Sequence, residues 1–330
     1  MTTTSLTAEA IEPLLETHRT ELTGYCYRML GAGAEAEDAV QETLVRAWRS
    51  KSVFQGRSSL KTWLYRIAHN VCIDMMQSPQ RRSRPMDLGP STLVAQARLG
   101  MPEPEHVWVQ PISDERVINL HADPALVAEA RESIRLAFVA ALQYLPPLQR
   151  SVLILCEVLH WSANEAAELV ETSVASVNSA LQRARASVAK RPADTLDSTV
   201  DPEHEQLLAE YVDAFERYDM DALIKLLRDD AVLSMPPFDL WLQGPQEVVD
   251  WMLGPGIACR GSRLVPIAVN GTAGFGSYKS AGPGRWEPWA IQVIETAGGK
   301  IVGHHNFLYP ESFAGFGLPP FIEDVAERLG

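Results

Sequence analysis

The chain has 330 residues, of which 46% are hydrophobic and 22% are charged, and its formal net charge is −13. This composition is that of an ordinary globular protein, and the length predicts two or three domains. There is no long apolar run, and the first residues lack the pattern of a signal peptide, so we expect no membrane association. The four cysteines are scattered, which predicts buried thiols in a cytoplasmic protein with no metal and no cofactor.

The negative charge is concentrated in the last part of the chain. Residues 1–90 carry 11 basic against 10 acidic side chains, whereas residues 192–330 carry 9 against 21. The tail therefore accounts for almost the whole deficit, and the preceding regions are close to neutral. Local basic faces in those regions remain compatible with nucleic-acid binding.

Hydrophobic periodicity divides the chain into successive regions. Residues 6–77 and 125–190 have helical periodicity, and the stretch between them is rich in Pro, Gly and Ser, as in a linker. After a second, polar linker, residues 204–228 predict a helical pair broken near Tyr218. Strand-like segments follow, with a hairpin at Gly298-Gly299.

The stretch "WSANEAAELVETSVASVNSALQRARASV" predicts two helices around a tight turn. Ser162 and Glu165 form a capping-box pattern, and Thr172 or Ser173 would cap the second helix. The apolar stripe of the second helix comprises Val174, Val177, Leu181, Ala184 and Val188. Its opposite face is polar and basic, as in a helix that enters the major groove of DNA, although an ordinary helix pair with a solvated basic face remains an equal alternative.

Two upstream helices provide independent signals. Residues 34–50 predict a helix with Val40, Leu44 and Ala47 or Trp48 inward and an acidic, amide-bearing face outward, which suits protein docking. Residues 56–76 predict a helix capped by Ser59 in which aromatic and cationic side chains alternate. Such a surface can stack unpaired bases and follow a phosphate backbone, and Trp63 or Tyr65 would also serve the core. Its predicted core stripe is Leu60, Leu64, Ile67, Val71 and Met75.

Three motifs in this order resemble the extracytoplasmic-function sigma factors of bacterial RNA polymerase. They are "AEDAVQETLVRAWR", "FQGRSSLKTWLYRIAHNVCID" and "LPPLQRSVLILCEVLHWSANEAAELVETSVASVNSALQRARA", and with their surroundings they cover residues 8–190. The resemblance implies an alternative sigma factor that binds core RNA polymerase, recognises −35 and −10 promoter DNA and initiates transcription, with no reaction of its own.

The resemblance also implies which residues do this. The docking face for core polymerase would be Asp38, Gln41 and Glu42. The −10 element would be opened and read by Lys61, Trp63, Tyr65, Arg66 and Asn70. The −35 element would be read by Ser176, Ser179, Gln182, Arg183 and Arg185.

The tail resembles the SnoaL-like domain, a cone-shaped α+β fold shared with ketosteroid isomerases. Sigma factors with this fused tail form subgroups in which the tail is held to act in place of a separate anti-sigma protein, and "MPEPEHVWVQPISD" resembles their linker motif. The implied fold is multidomain, with two all-α domains, a long linker and an α+β domain. Its predicted limits are 1–84 (sigma domain two), 85–127 (linker), 128–191 (sigma domain four), 192–203 (linker) and 204–330 (SnoaL-like domain).

Two alternatives remain at this level. One is a ligand-sensing helix-turn-helix regulator, against which the base-stacking helix argues. The other is a ketosteroid-isomerase-like enzyme with a DNA-binding appendage, whose acid–base candidates would be Asp229, Asp230, Asp239, His304 and His305. A small-molecule ligand in the tail is therefore an open question, and strand alternation allows only one of His304 and His305 to face a pocket.

Overall fold

The computed structural model describes residues 14–54, 58–76, 82–190, 196–197 and 202–324. The chain divides into two compact units. The helical unit comprises Met1–Arg82 and Asp114–Ala193, and the α+β unit comprises Ser83–Ser113 and Asp194–Gly330. The predicted linker, residues 85–127, is therefore divided between the two units. Residues 85–113 belong to the α+β unit and residues 114–127 to the helical unit. Most of the second predicted linker lies outside the described residues.

The helical unit is built from the two regions with helical periodicity. Its N-terminal half contains α1 (Arg19–Leu30), α2 (Gly33–Ser50) and α3 (Leu60–Met75). Its C-terminal half contains α4 (Pro124–Glu132), α5 (Leu136–Gln143), α6 (Pro147–Leu153, continued by a π-helical turn Ile154–Val158), α7 (Ala163–Leu169) and α8 (Val174–Val188). Every residue from Leu22 to Leu30 of α1 is buried, so this helix is the centre of the unit.

The two halves of the helical unit meet at the C-terminal end of α1. Gly31 ends α1 in the left-handed conformation (φ 78°), which glycine adopts without steric cost. Arg150 from α6 donates to the carbonyl of Met29, and the Gln143 amide donates to the Arg28 carbonyl (3.3 Å). A cation at this end is favoured because the last carbonyls of a helix lack intrahelical donors.

The α+β unit consists of helices packed on one mixed sheet. The helices are α9 (Pro202–Arg217), α10 (Met220–Leu226) and α11 (Pro245–Leu253). The strands are β1 (Leu227–Ser234), β2 (Trp241–Gln243), β3 (Arg263–Val269), β4 (Thr272–Gly282), β5 (Arg285–Ala297), β6 (Lys300–Phe307) and β7 (Ile322–Glu323). The order along the sheet is β2-β1-β6-β5-β4-β3, with β7 on β5, and only β1 and β6 pair in parallel among the described strands.

The structure confirms the helix break and the hairpin turn that were predicted from the tail sequence. The break between α9 and α10 falls at Tyr218, which has a positive φ, and the Asp219 side chain caps α10 through the Ala222 amide (3.0 Å). The turn between β5 and β6 is Gly298-Gly299, with both φ values positive, as a tight hairpin requires. Helical domains followed by an α+β domain were predicted, and this order is confirmed.

Residues 83–113 are fixed to the α+β unit by backbone and side-chain contacts along their length. The amide of Thr92 donates to the Trp241 carbonyl (2.9 Å), and the Glu103 amide donates to the Pro237 carbonyl (2.9 Å). Trp108 is fully buried, and its indole donates to the same Pro237 carbonyl (3.1 Å). This segment therefore has few regular elements but is ordered by tertiary contacts.

No helix within the described residues is long and apolar enough to cross a membrane.

Substitution of Trp108 tests the docking of this segment. We expect Trp108→Phe to lower the free energy of unfolding by about 1 kcal/mol because one hydrogen bond is lost. Trp108→Ala should lower it by about 3–5 kcal/mol because a cavity is left. Urea unfolding measures both, and Leu88→Ala, at an exposed position of the same segment, should change little. Equal losses for the Phe and Ala variants would contradict a packing role for the indole.

Candidate nucleic-acid interface

The outward face of α2 presents the residues expected to dock a protein. Asp38 and Gln41 are exposed, and Glu42 is half-exposed and bound to Arg46 of the same helix (2.6 Å). Val40, Leu44 and Ala47 are buried as predicted, and Trp48, the alternative to Ala47 for the inward position, is 50% exposed. Ala47 occupies the inward position in that turn, and Trp48, near the end of the helix, lies beside the Lys51 ammonium (5.1 Å to the ring centroid).

Helix α3 begins at the predicted cap. Of the proposed −10 residues it exposes Asn70, leaves Lys61, Trp63 and Arg66 partly exposed, and buries Tyr65. The Ser59 hydroxyl accepts from the Thr62 amide (3.0 Å). Asn70 is exposed, Lys61 is half-exposed and paired with Glu21 (2.6 Å), and half-buried Trp63 packs on Phe54. Leu60, Leu64 and Val71 of the predicted stripe are buried, whereas Ile67 is partly exposed and Met75 is 40% exposed. The core face of the helix is therefore shifted from the predicted stripe, and it also includes Tyr65, Ala68, His69 and Cys72.

Tyr65 is the aromatic residue of α3 that belongs to the core. Its ring is fully buried, between Tyr25 of α1 (5.4 Å between centroids) and Trp161 from the C-terminal half (5.1 Å). The neighbouring Arg66 donates to the Glu168 carbonyl of α7 (3.3 Å). In this conformation the helix-turn-helix half covers part of the proposed −10 surface, and a base can reach Tyr65 only after the halves separate.

His69 lies in the same interface between the two halves. Its Nδ1 is within hydrogen-bonding distance of the Tyr25 hydroxyl (3.0 Å) and the Ser151 hydroxyl (3.2 Å). Burial lowers the pKa of His69 from 6.5 to about 4, so the ring is neutral near physiological pH. A neutral imidazole nitrogen can accept from these hydroxyls, whereas a protonated one cannot.

Residues 162–188, at the end of the C-terminal half, form the predicted helix-turn-helix. Ser162 and Glu165 make a reciprocal capping box for α7, and Ser173, rather than Thr172, caps α8 through the Ser176 amide (3.2 Å). The turn contains Glu171 with a positive φ. The buried stripe of α8 comprises Val177, Ala180 and Ala184, and Val174 is 37% exposed. The predicted stripe is therefore correct at Val177 and Ala184, and the buried face is rotated towards Ala180.

The outer face of α8 carries the proposed −35 residues. Ser179, Gln182, Arg183 and Arg185 are exposed, and Ser176 is half-exposed. Arg183 donates to the Ser179 hydroxyl (2.8 Å), and Arg185 pairs with Glu157. Arg183 lies beside the short polar side chains, whereas Arg185, two positions further along the helix, lies on the opposite flank of the exposed surface. Both flanks have chemistry that suits major-groove and phosphate contacts.

The arginines after α3 are already paired within their own units. Arg82 binds Glu35 of α2, and Arg84 binds Asp87 (3.2 Å). Arg81 lies outside the described residues.

The α+β unit encloses a cavity of about 220 Å³ between its helices and its sheet. His304 lines this cavity and lies 3.1 Å from the Tyr211 hydroxyl, which also donates to Gln292 (2.9 Å). His305 points to the other face, where it meets Ser234 (2.8 Å) and Glu295 (3.2 Å). The predicted separation of the two histidines is confirmed.

The cavity is lined by few groups that are suited to acid–base catalysis. Asp229, Asp230 and Asp239 are exposed, and among the described residues that line the cavity none is a carboxylic acid. Burial, with a smaller effect of His305, lowers the pKa of His304 to about 3. A ring with such a pKa is a weak base near neutral pH.

Comparison with known proteins agrees with the geometry of both units. Three family models match: Sigma-70 region 2 over residues 14–82, Sigma-70 region 4 over residues 135–188 and the SnoaL-like domain over residues 208–304. The chain is 41% identical over 309 residues to the extracytoplasmic-function (ECF) sigma factor SigG of Mycobacterium tuberculosis, covering 92% of this chain and 82% of that protein. The chain belongs to the ECF sigma factor family.

A second relative shares the whole architecture. The ECF sigma factor SigJ of M. tuberculosis is 26% identical over 332 residues, covering 96% of each chain. Its crystal structure superposes with a TM-score of 0.60 at 23% identity, over 93% of this chain and 99% of that one.

As a member of this family, the present chain is an alternative sigma factor that binds core RNA polymerase and promoter DNA. It is a transcription factor rather than an enzyme, although the SnoaL-like fold also occurs in isomerases.

The buried histidine of the sigma factor predicts a pH dependence. Because the folded-state pKa of His69 (about 4) is below its ordinary value of 6.5, its contribution to stability is complete above pH 6.5 and is lost as the pH falls towards 4. The full effect is roughly 3 kcal/mol. Denaturant unfolding between pH 7 and 4 should show a smaller decline for His69→Gln than for the wild type. His121→Gln, at an exposed position, should behave like the wild type, and identical pH profiles for all three proteins would refute the assignment.

Proposed function

We propose that the fused α+β domain restrains this sigma factor by holding the segment between its promoter-reading halves, in place of a separate anti-sigma protein. The observation that carries the proposal is the division of the chain: residues 83–113 belong to the α+β unit, although the residues on both sides belong to the helical unit. The sigma factor would act in the cytoplasm with core polymerase.

Docking of the segment limits how far the two halves can separate. A free segment of about 30 residues spans up to roughly 100 Å. When it is hydrogen-bonded to the α+β unit from Thr92 to Ile112, most of that length is unavailable. The contacts of Tyr65 with Trp161 and of Arg66 with Glu168 are then favoured over an open arrangement.

Within this proposal each exposed face has a separate role. Asp38, Gln41 and Glu42 dock core polymerase through the accessible face of α2. The −10 element is opened and read by Lys61, Trp63, Tyr65, Arg66 and Asn70. The −35 element is read by Ser176, Ser179, Gln182, Arg183 and Arg185. The proposed domain limits are those given from the sequence, with residues 83–113 as a segment that changes between docked and free states.

The cavity favours a second candidate function, in which the tail binds a small molecule. Its interior is largely apolar with a few polar groups, as in ligand-binding sites. Its volume of about 220 Å³ is below the usual range of about 300–1,000 Å³ for such sites, so it suits a small ligand. Ligand binding would add a sensory role to the sigma factor and does not compete with promoter recognition.

Release of the segment is tested by removing two of its polar anchors. Glu247 accepts from the Val94 amide (2.7 Å), and the Asn270 side chain accepts from the Ile112 amide (2.9 Å). The double variant Glu247→Ala/Asn270→Gly removes both, and glycine tolerates the positive φ of position 270. Loss of two hydrogen bonds, about 2 kcal/mol, should shift the docking equilibrium about 30-fold.

We expect this variant to give more promoter-specific transcript than the wild type at limiting sigma concentration, in a purified system with core polymerase. Gln246→Ala, on the same helix but away from the segment, is the matched control. Increased protease cleavage within residues 83–113 would verify undocking. Undocking without any gain in transcript would overturn the proposed restraint.

The docking face predicts a loss of polymerase binding. Asp38→Lys reverses an exposed charge on α2 and should weaken co-elution with core polymerase by at least about tenfold, because like charges across an interface are costly. Glu210→Lys makes the same change at an exposed position of the tail and should leave co-elution unchanged. Equal binding by both variants and the wild type would exclude this face.

The outer face of α8 predicts a −35-specific effect. Arg183→Ala should reduce promoter binding by the polymerase complex by about tenfold, which corresponds to one lost base or phosphate contact. Arg217→Ala, at an exposed tail position, is the control. Promoters with base changes in the −35 element should show a smaller effect of Arg183→Ala if the residue reads a base. A uniform effect across them would indicate a phosphate contact, and no effect would exclude Arg183.

A further inference from the structure

The cavity of the α+β unit is lined by one buried hydroxyl without a hydrogen-bond partner and by one ammonium without a carboxylate partner among the described residues. Ser277 is 1% exposed, lines the cavity, and its hydroxyl has no hydrogen-bond partner. Lys279, two residues further along β4, also lines the cavity and pairs with no carboxylate among the described residues. Its ammonium lies over the Trp289 ring, 3.1 Å from the centroid. A buried hydroxyl without a partner is costly, so both groups favour a ligand that can bind them.

The rest of the wall determines what kind of ligand fits. Phe215, Phe238, Trp251 and Trp289 contribute aromatic surface, and no Asp, Glu or Arg is among the lining residues that the structure describes. A phosphate dianion would need more donors than one ammonium and a few neutral groups provide. A single carboxylate on an aromatic body matches one cation, one hydroxyl and an aromatic wall.

We propose that this cavity binds a small aromatic monocarboxylate, with the carboxylate held by Lys279 and Ser277 and the ring held between the aromatic walls. This inference rests on the proposed ligand-binding role of the tail and is independent of the proposed restraint on transcription. The bound carboxylate replaces the missing counter-charge of Lys279 and satisfies the Ser277 hydroxyl, which makes binding depend on ligand charge.

The cavity also includes one residue of the segment that separates the promoter-reading halves. Leu99 lines it, next to buried Ala97 and before Glu103, whose amide binds the Pro237 carbonyl. A ligand that contacts Leu99 gains affinity only while this segment is docked, so ligand and docking stabilise each other. Leu99→Ala should therefore weaken ligand binding by a few-fold, on the order of one small apolar contact.

Calorimetric titration of the full-length chain with 1-naphthoate and 1-naphthamide tests the ligand class, since the two probes differ in charge and share a ring. We expect 1-naphthoate to bind at least about tenfold more tightly than 1-naphthamide, as one charge-assisted contact implies. Lys279→Met should abolish this preference while retaining 1-naphthamide binding, which also shows that the variant is folded. Lys225→Met, at an exposed position of α10, should keep the preference.

Three outcomes would overturn the inference and are distinguishable. Equal binding of both probes to the wild type would show that the cavity takes ligands without charge selection, and only the carboxylate assignment would fail. Binding of neither probe at millimolar concentration would remove the ligand-binding role of the tail as well. A preference that survives in Lys279→Met would place the anion elsewhere and refute the site.

Discussion

Burial of the Trp108 indole in the α+β domain is the contact on which the arrangement of the chain depends. Its hydrogen bond to Pro237, together with the amide contacts of Thr92 and Glu103, makes residues 83–113 part of that domain. The same residues connect the two halves of the helical unit. Under the proposed restraint, docking of this segment to the tail limits how far the two halves can separate.

Several buried polar groups of the helical unit find partners across its two halves. Arg28 is 3% exposed and donates to the Ser133 hydroxyl (2.6 Å), while burial lowers its pKa to about 10. Arg150 donates to backbone carbonyls and to the Gln143 side chain. The neutral His69 ring lies within hydrogen-bonding distance of the Tyr25 and Ser151 hydroxyls. Separating the halves exposes these groups to water, which can replace their partners.

Much of the helical region follows from the sequence because its signals are local. The capping box at Ser162, the Ser59 cap and the 3.6-residue periodicity depend on neighbours within a few positions. The sequence left two choices open that packing decides. Ala47 rather than Trp48 faces the core, and Tyr65 is buried because the distant Trp161 packs on it. The exposed faces of α2 and α8 could be anticipated, whereas the burial of part of the −10 surface could not.

The sequence by itself determined the order of domains, the family motifs, the hairpin at Gly298-Gly299 and the opposite orientation of His304 and His305. Only the tertiary structure decided that the Pro-rich segment predicted as a linker is bound to the tail. It also decided that Ser277 and Lys279 line a cavity with aromatic walls in that domain. The physical reason is the range of the interactions. Turns, caps and strand alternation are set by adjacent residues, whereas burial of Trp108 and the cavity wall at Leu99 depend on residues more than a hundred positions away.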